Sequence, residues 1–277
     1  MTPSPEQQTG INALTALRSN LMFSCPAGGG KTTLMCMLAK ALGPNSGKII
    51  ALAFNKDAST ALAAKMPYYV ESSTFHSYCY TALGAHLGRK PKSDGKRCAW
   101  LLKDMCPDWK TRRELEGPTL TLVSRFKSTT DPVSADALAA VAERFDIEAG
   151  TAILGYAERI LLECLKPNPK SIDFDDMLWL AYHWGVKFTS VAYAFLDEAQ
   201  DTNAIQRALL HEILYHGVDK AGRLIAVGDP HQSIYGFRGA DHEAMTLLRS
   251  EFAMEELALS VSYRCSQAVV KEAQKYL

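Results

Sequence analysis

The chain has no net charge. Its 30 lysines and arginines meet 30 aspartates and glutamates, so the overall balance excludes a polycationic or polyanionic protein and gives no hint of a nucleic-acid partner. Nor does it have an apolar run that could cross a bilayer, since "KIIALAF" and "RILLECL" fall far short of the ~20 residues a helical span needs. The N-terminus lacks the pattern of a secretory signal. Seven cysteines, at 25, 36, 79, 98, 106, 164 and 265, are odd in number, scattered and without a CxxC pair, which suggests neither a disulfide framework nor a zinc site. No internal repeat or low-complexity tract occurs. These absences leave an intracellular protein, cytoplasmic in a bacterial or phage-like setting or else nuclear, with no membrane partner and enough residues for a sizeable core.

What is present is a rhythm. Short apolar runs at 21–25, 48–54, 69–73, 191–197, 223–229 and 256–260 read as strands, and helical patterns at 31–42, 58–65, 203–216 and 240–250 lie between several of them. The alternation predicts an α/β domain around a mainly parallel sheet, with ligands at the carboxyl ends of the strands. The rhythm breaks between about Gly84 and Ser171. There "VSADALAAVAERF" and "TAILGYAERILLECL" read as helices, "CPDW", "EGPT" and "KPNPK" as punctuation, and no stretch as a convincing strand. The expected organisation is a first part of the α/β domain over 1–83, a helical insertion over 84–171 and the rest of the α/β domain over 172–277. From Ala85 to Lys127 eleven lysines and arginines face five acids, a local excess of +6. A phosphate backbone and a solvated helical face account for such a run equally well.

Two clusters carry chemistry. "CPAGGGKTT" (25–33) follows the first strand and opens a helix. In a P-loop, glycines let backbone N–H groups turn in around phosphates, a lysine reaches the β and γ phosphates and a hydroxyl holds Mg²⁺. Gly28, Gly29, Gly30, Lys31 and Thr32 supply those parts, with the positive end of the helix behind them. Cys25 stands where the general pattern has its first glycine. "FLDEAQD" (195–201) ends another strand. Alone, an acidic pair there is a solvated turn; beside a P-loop, Asp197 suits the outer shell of Mg²⁺ and Glu198 the base that activates a water.

At this point the chain resembles the superfamily 1 DNA helicases of the UvrD/Rep/PcrA type, because seven blocks occur in that family's order. "PSPEQQTGI" resembles the Q motif, "CPAGGGKTT" motif I, "ALAFNKDAS" motif Ia, "TFHSYC" motif Ib, "LDEAQD" motif II, "VGDPHQSIYGFRGA" motif III and "LSVSYRCS" motif IV. The resemblance implies a RecA-like P-loop NTPase domain that uses ATP and Mg²⁺. It puts Gln7 on the adenine edge, Ala27 to Thr33 around the nucleotide, Tyr263 stacked on adenine and Arg264 at the γ phosphate. Thr33 departs from the family, which often has an arginine there. Phe54, Asn55, Thr74 and His76 are expected along single-stranded DNA, and Tyr235 and Phe237 against its bases. Gln232 would sense the γ phosphate, making 228–240 a coupling loop with Arg238 at a phosphate or in a structural pair. The helical insertion matches the position of the family's domain 1B, so its basic stretch is expected to touch DNA near single/double-strand junctions. Asp173, Asp175 and Asp176 of "IDFDDMLWLA" read as helix N-terminal charges.

The family's second RecA-like domain, with motifs V and VI, has no counterpart before Leu277. The expected protein is therefore the N-terminal half of an ATP-dependent 3′–5′ DNA helicase or translocase, unable to unwind DNA without a second motor domain in cis or in trans. A nucleic-acid-binding module with vestigial ATPase parts is the alternative; a P-loop ATPase unrelated to DNA would leave "TFHS" and "QSIYGFRGA" unexplained.

Overall fold

The computed structural model describes residues 2–26, 28–214, 222–232 and 243–262. The described elements, in chain order, begin with α1 (Pro5–Ala16), β1 (Leu21–Ser24), α2 (Lys31–Leu42), β2 (Ile49–Ala53), α3 (Lys56–Ala63), β3 (Val70–Thr74) and α4 (Phe75–His86). Next come β4 (Lys92–Ser93), α5 (Arg97–Met105), α6 (Trp109–Phe126), α7 (Ala135–Arg144), α8 (Thr151–Cys164), β5 (Ser171–Ile172) and α9 (Asp176–His183). The chain then forms β6 (Tyr193–Asp197), a 3-10 turn at Ala199–Asp201, α10 (Ala204–Ile213), β7 (Arg223–Gly228), α11 (Ala244–Glu251) and β8 (Glu255–Ala258). They divide into two compact units, one from the described residues of 1–75, 189–202 and 210–277, the other from 76–188 with 203–209.

The first unit holds a six-stranded sheet in the order β3-β2-β6-β7-β1-β8, and every ladder in it is parallel. The sequence explains why. All of β2 is buried, as is β7 after Arg223, so both faces of these strands are covered and only unbroken runs such as "IIALA" and "LIAV" can fill them. Leu34, Leu38 and Ala39 of α2 pack with Phe23 and Phe195 in one core cluster. The register aligns Asp197 with Val227 and Ser24 with Gly228. β6, β7 and β1 are neighbours, so the loops after them leave the sheet side by side.

The second unit is built of helices. It takes in α4 and α9 as well as the 84–171 segment. Two readings of this segment are corrected. Residues 92–93 and 171–172 form a short parallel pair, closed by Asp94 N–H on the Ile172 carbonyl at 2.8 Å; two residues per strand are too few to leave a period in sequence. "EGPT" does not end a helix but lies inside α6, around Pro118. An interior proline costs about 3 kcal/mol, and the buried stripe Thr119, Leu122, Val123 and Phe126 just beyond it outweighs that cost.

The basic stretch is also not uniformly a surface. Arg97 is buried, and the Lys127 side chain is fully buried with its Nζ 2.7 Å from both Asp173 Oδ2 and Asp176 Oδ1. Arg97 pairs with Asp176 as well. Burial works against the Lys127 ammonium, but Asp176 first, with Cys164, Cys98 and Asp173 behind it, holds its pKa well above the ordinary value. Burial would also raise the Asp173 carboxyl, yet Lys127 and the hydrogen bonds around it keep it below the usual range. Asp173 and Asp176 do cap α9, through Asp176 N–H on Asp173 Oδ1 at 2.8 Å and Asp173 N–H on Asp176 Oδ2 at 2.9 Å. Beyond that reading, they are the counter-ions of a buried cation pair.

Candidate nucleotide site

The loop from β1 to α2 is shaped by its glycines. Gly28 and Gly30 have φ of 74° and 82°, in the left-handed region that side chains disfavour. Gly29 is required by contact instead, because a Cβ there would lie 2.5 Å from Cys25 Sγ and 3.0 Å from the Pro26 carbonyl. Cys25, in the place of the missing first glycine, is buried, and burial pushes its thiol up to about 11 against the opposing pull of Lys31. It acts as a small apolar wall of the loop. Gly30 caps α2 without a side-chain hydrogen bond, and the first turn of the helix holds no acid. Its leading N–H groups and the positive end of its dipole are therefore met by no acidic side chain of that turn. Thr32 and Thr33 stand in the same turn, half-buried; Ala27 lies outside the described residues.

The acidic residues come from the end of β6. Glu198 has φ 51° and ψ 51°, a left-handed conformation in a residue other than glycine, which is strain of the kind functional sites retain. It swings the carboxylate onto Lys31, which pairs with Glu198 Oε2. The same Oε2 accepts from Gln200 Nε2 at 2.9 Å. Gln200 Oε1 in turn accepts the Asp229 N–H at 2.9 Å, and the Asp229 carbonyl accepts the Gln232 N–H at 3.0 Å. Lys31 and Glu198 are thus brought together directly, with Gln232 joined through Gln200 and Asp229. Asp197 accepts the Glu198 N–H at 3.1 Å. Burial, then the charge of Glu198, raises its carboxyl to about 6, and the same two causes raise Asp201 to about 6.

A divalent cation fits this donor set as a partner of phosphate. Among the described residues no group of three or more His, Cys, Asp and Glu could hold a metal alone. A hydroxyl such as that of Thr32 and a carboxylate such as that of Asp197 would be the part of an octahedral Mg²⁺ shell that proteins contribute when phosphates and waters supply the rest.

Gln7 is buried, and its amide oxygen is engaged locally. Its side chain completes a capping box with Ser4, accepting the Ser4 N–H at 3.0 Å, so its amide is held at the start of α1. Glu6 beside it accepts the Ser260 N–H at 2.9 Å, tying α1 to the segment that leads toward Tyr263 and Arg264. Those two, with Tyr235, Phe237 and Arg238, lie outside the described residues.

Of the residues expected along DNA, Asn55 caps α3 by accepting the Ala58 N–H at 2.8 Å and is exposed. Phe54 is half-buried just past β2, and Thr74 ends β3. His76, in the first turn of α4, stacks on Phe174 with ring centroids 3.7 Å apart and planes at 16°. Phe174 is 58% exposed, an aromatic face that the sequence reading passed over. The signal was the apolar residue inside the acidic run "DFDD", where a solvated turn has no use for one.

A model of the UvrD/REP helicase N-terminal domain matches residues 4–253. The ATP-dependent DNA helicase Rep of Escherichia coli (strain K12) is 27% identical over 305 residues, covering 99% of this chain and 43% of that protein. A probable DNA helicase II homolog of Mycoplasma pneumoniae is 27% identical over 93% of this chain and 40% of its own length. The ATP-dependent DNA helicase UvrD1 of Mycobacterium tuberculosis (strain H37Rv) is 26% identical over 99% of this chain and 40% of its own length. The chain thus spans about two fifths of the length of these relatives.

Proposed function

The chain belongs to the UvrD/REP helicase N-terminal domain family, and from that premise we propose that it is the ATP-binding motor half of an ATP-dependent 3′–5′ DNA helicase or single-stranded DNA translocase. The observation that carries the reading is the convergence of three strand ends on one ion pair. Lys31 comes from the loop after β1 and Glu198 from the end of β6, with Gln200 linking them to Asp229 after β7.

In this reading the Gly28–Gly30 turn and the first turn of α2 bind the phosphates of ATP, and Lys31 moves from Glu198 to the terminal phosphates. Glu198, released from Lys31, takes a proton from the attacking water. Thr32 and Asp197 would hold Mg²⁺, which would supply charge neutralisation to the phosphates. Gln7, Tyr263 and Arg264 serve the base and γ phosphate as the family resemblance implies. Single-stranded DNA is taken by Phe54, Asn55, Thr74 and His76, joined by Phe174, with Tyr235 and Phe237 of the coupling loop. Exposed cations of the helical unit meet the duplex side of a junction. A second RecA-like domain, in cis or in trans, completes the translocase.

The test is nucleotide binding. Lys31→Ala removes a charge-assisted contact worth about 1.5–3 kcal/mol, so Mg²⁺-dependent binding of a fluorescent ATP analogue should weaken about 10- to 100-fold. Equal affinity of Lys31→Ala and the parent chain would refute the assignment.

A further inference from the structure

The amide of Gln200 has one hydrogen-bonding group on each of two loops. Its NH₂ donates to Glu198 Oε2 and its carbonyl accepts the Asp229 N–H, each at 2.9 Å. The residue is 4% exposed, so neither bond is traded freely with water. The seat is built for it. Gly228 leaves the space, because a Cβ there would come within 2.7 Å of Gln200 Oε1, 3.0 Å of Met245 Sδ and 3.2 Å of Ala199 Cβ. The 3-10 turn at Ala199–Asp201 sets the side chain across β7. On the far side, Asp229 closes its own turn, with His231 N–H on its Oδ1 and Gln232 N–H on its carbonyl, both at 3.0 Å.

We infer that Gln200 is a positioning residue that fixes the orientation of Glu198 and mechanically links it to the Asp229–Gln232 turn. The inference rests on the proposed ATPase reading and deepens it. Lys31 and Gln200 share one oxygen of Glu198. Once phosphate competes for Lys31, the Gln200 amide is the contact that still holds that oxygen. Because Gln200 is bonded at its other end to Asp229, a change at Glu198 is felt at the turn, and displacement of the turn rotates the base. The coupling is reciprocal, as any linkage between two sites is.

The decisive measurement is amide hydrogen exchange over 226–232, with and without Mg²⁺ and a non-hydrolysable ATP analogue, in the full chain and in Gln200→Met. Methionine keeps the volume and removes the hydrogen bonds to Glu198 and Asp229. In the parent chain the Asp229 amide should be protected, with protection that changes when the analogue binds. In Gln200→Met it should exchange at least about tenfold faster and lose the response, while analogue affinity stays within about threefold. Steady-state hydrolysis should show the same split, with kcat lower by about tenfold or more and KM within about threefold. Gln200→Glu supplies a signature that packing alone would not. It keeps an acceptor for Asp229 and donates to Glu198 only when the introduced carboxyl is protonated, so its kcat deficit should narrow as pH falls from about 8.5 to about 6.5. Should Gln200→Met fail to fold, Gly228→Ala perturbs the same amide from the other side and should reproduce the faster Asp229 exchange. Gln200→Met retaining both the parent kcat and the nucleotide-dependent protection overturns the inference alone. A parent chain that binds no analogue overturns the ATPase reading, and this inference with it.

Discussion

Lys127→Met is the sharpest test of how the helical unit is held together. Lys127 Nζ is fully buried, 2.7 Å from Asp173 and 2.7 Å from Asp176, whose side chain is likewise 0% exposed. Methionine keeps most of the aliphatic stem, so little cavity forms and the loss is chiefly electrostatic. Arg97 remains on Asp176, but Asp173 is left without its cation among the described residues. Removing one partner of a buried, hydrogen-bonded pair costs about 3–5 kcal/mol, because the other charge stays desolvated. The assay is selective for this unit. All four tryptophans, 100, 109, 179 and 184, lie within it, and Lys127 Nζ sits 5.9 Å from the Trp179 ring. Urea unfolding followed by tryptophan fluorescence at pH 7 should show the midpoint lowered by roughly 2 M, given a slope of about 2 kcal/mol per molar. The pH dependence has a definite sign. Asp173 is held below the usual carboxylate range, so its stabilisation is complete above an unfolded value of about 3.9 and disappears as pH falls through the lower folded value. The deficit of Lys127→Met should therefore be full from pH 7 down to about pH 4 and shrink as pH falls below that. A loss under about 1 kcal/mol at pH 7, or one that grows on acidification, would refute the reasoning.

Two further outcomes follow from the sites. Asp197→Asn should stabilise the chain at pH 7 in the absence of nucleotide by about 1–3 kcal/mol, since the carboxyl, raised to about 6, is ionised there against its burial. For such a raised group, stability falls as pH rises from about 4 to about 6, so the gain should vanish near pH 4; calorimetry across this range reads it, and a destabilised variant contradicts it. The same change should weaken Mg²⁺-dependent nucleotide binding by roughly tenfold or more. Phe174→Ala should lower single-stranded DNA affinity by about 1–3 kcal/mol with the salt dependence unchanged, because a stacking face is lost and no phosphate contact. Unaltered affinity in a salt series would remove Phe174 from the DNA path.

The parts legible in sequence are those that local chemistry dictates. Lys31 begins a helix because Gly30 supplies the left-handed cap and the residues after it repeat at helical spacing. β2 and β7 were readable since strands buried on both faces must be apolar throughout. Asp197 and Glu198 followed from their place after such a strand. What stayed hidden depends on the third dimension. A charge count treats Arg97 and Lys127 like any exposed cation, while the fold buries both against acids some fifty to eighty positions away. Pro118 reads as a stop until the stripe beyond it is seen to pack. Gln200 is one polar residue in an acidic turn, and its two-ended role appears only when β7 brings Asp229 beside it. Gln7 shows the converse, since the capping box that occupies it is written locally in "SPEQ".

The Lys31–Glu198 pair has a consequence for selectivity. The site carries its own anion, so the lysine is not an open invitation to chloride, sulfate or stray phosphate. An incoming group must outbid a carboxylate that is already seated and shared with Gln200, and its apparent affinity is discounted by the fraction of time that carboxylate holds the lysine. A weak monoanion gains too little to displace it. In the proposed ATP-binding reading, a polyphosphate that also engages the α2 N-terminus and the glycine turn gains enough. The internal pair would then work as a threshold that favours ligands with several phosphates in a row.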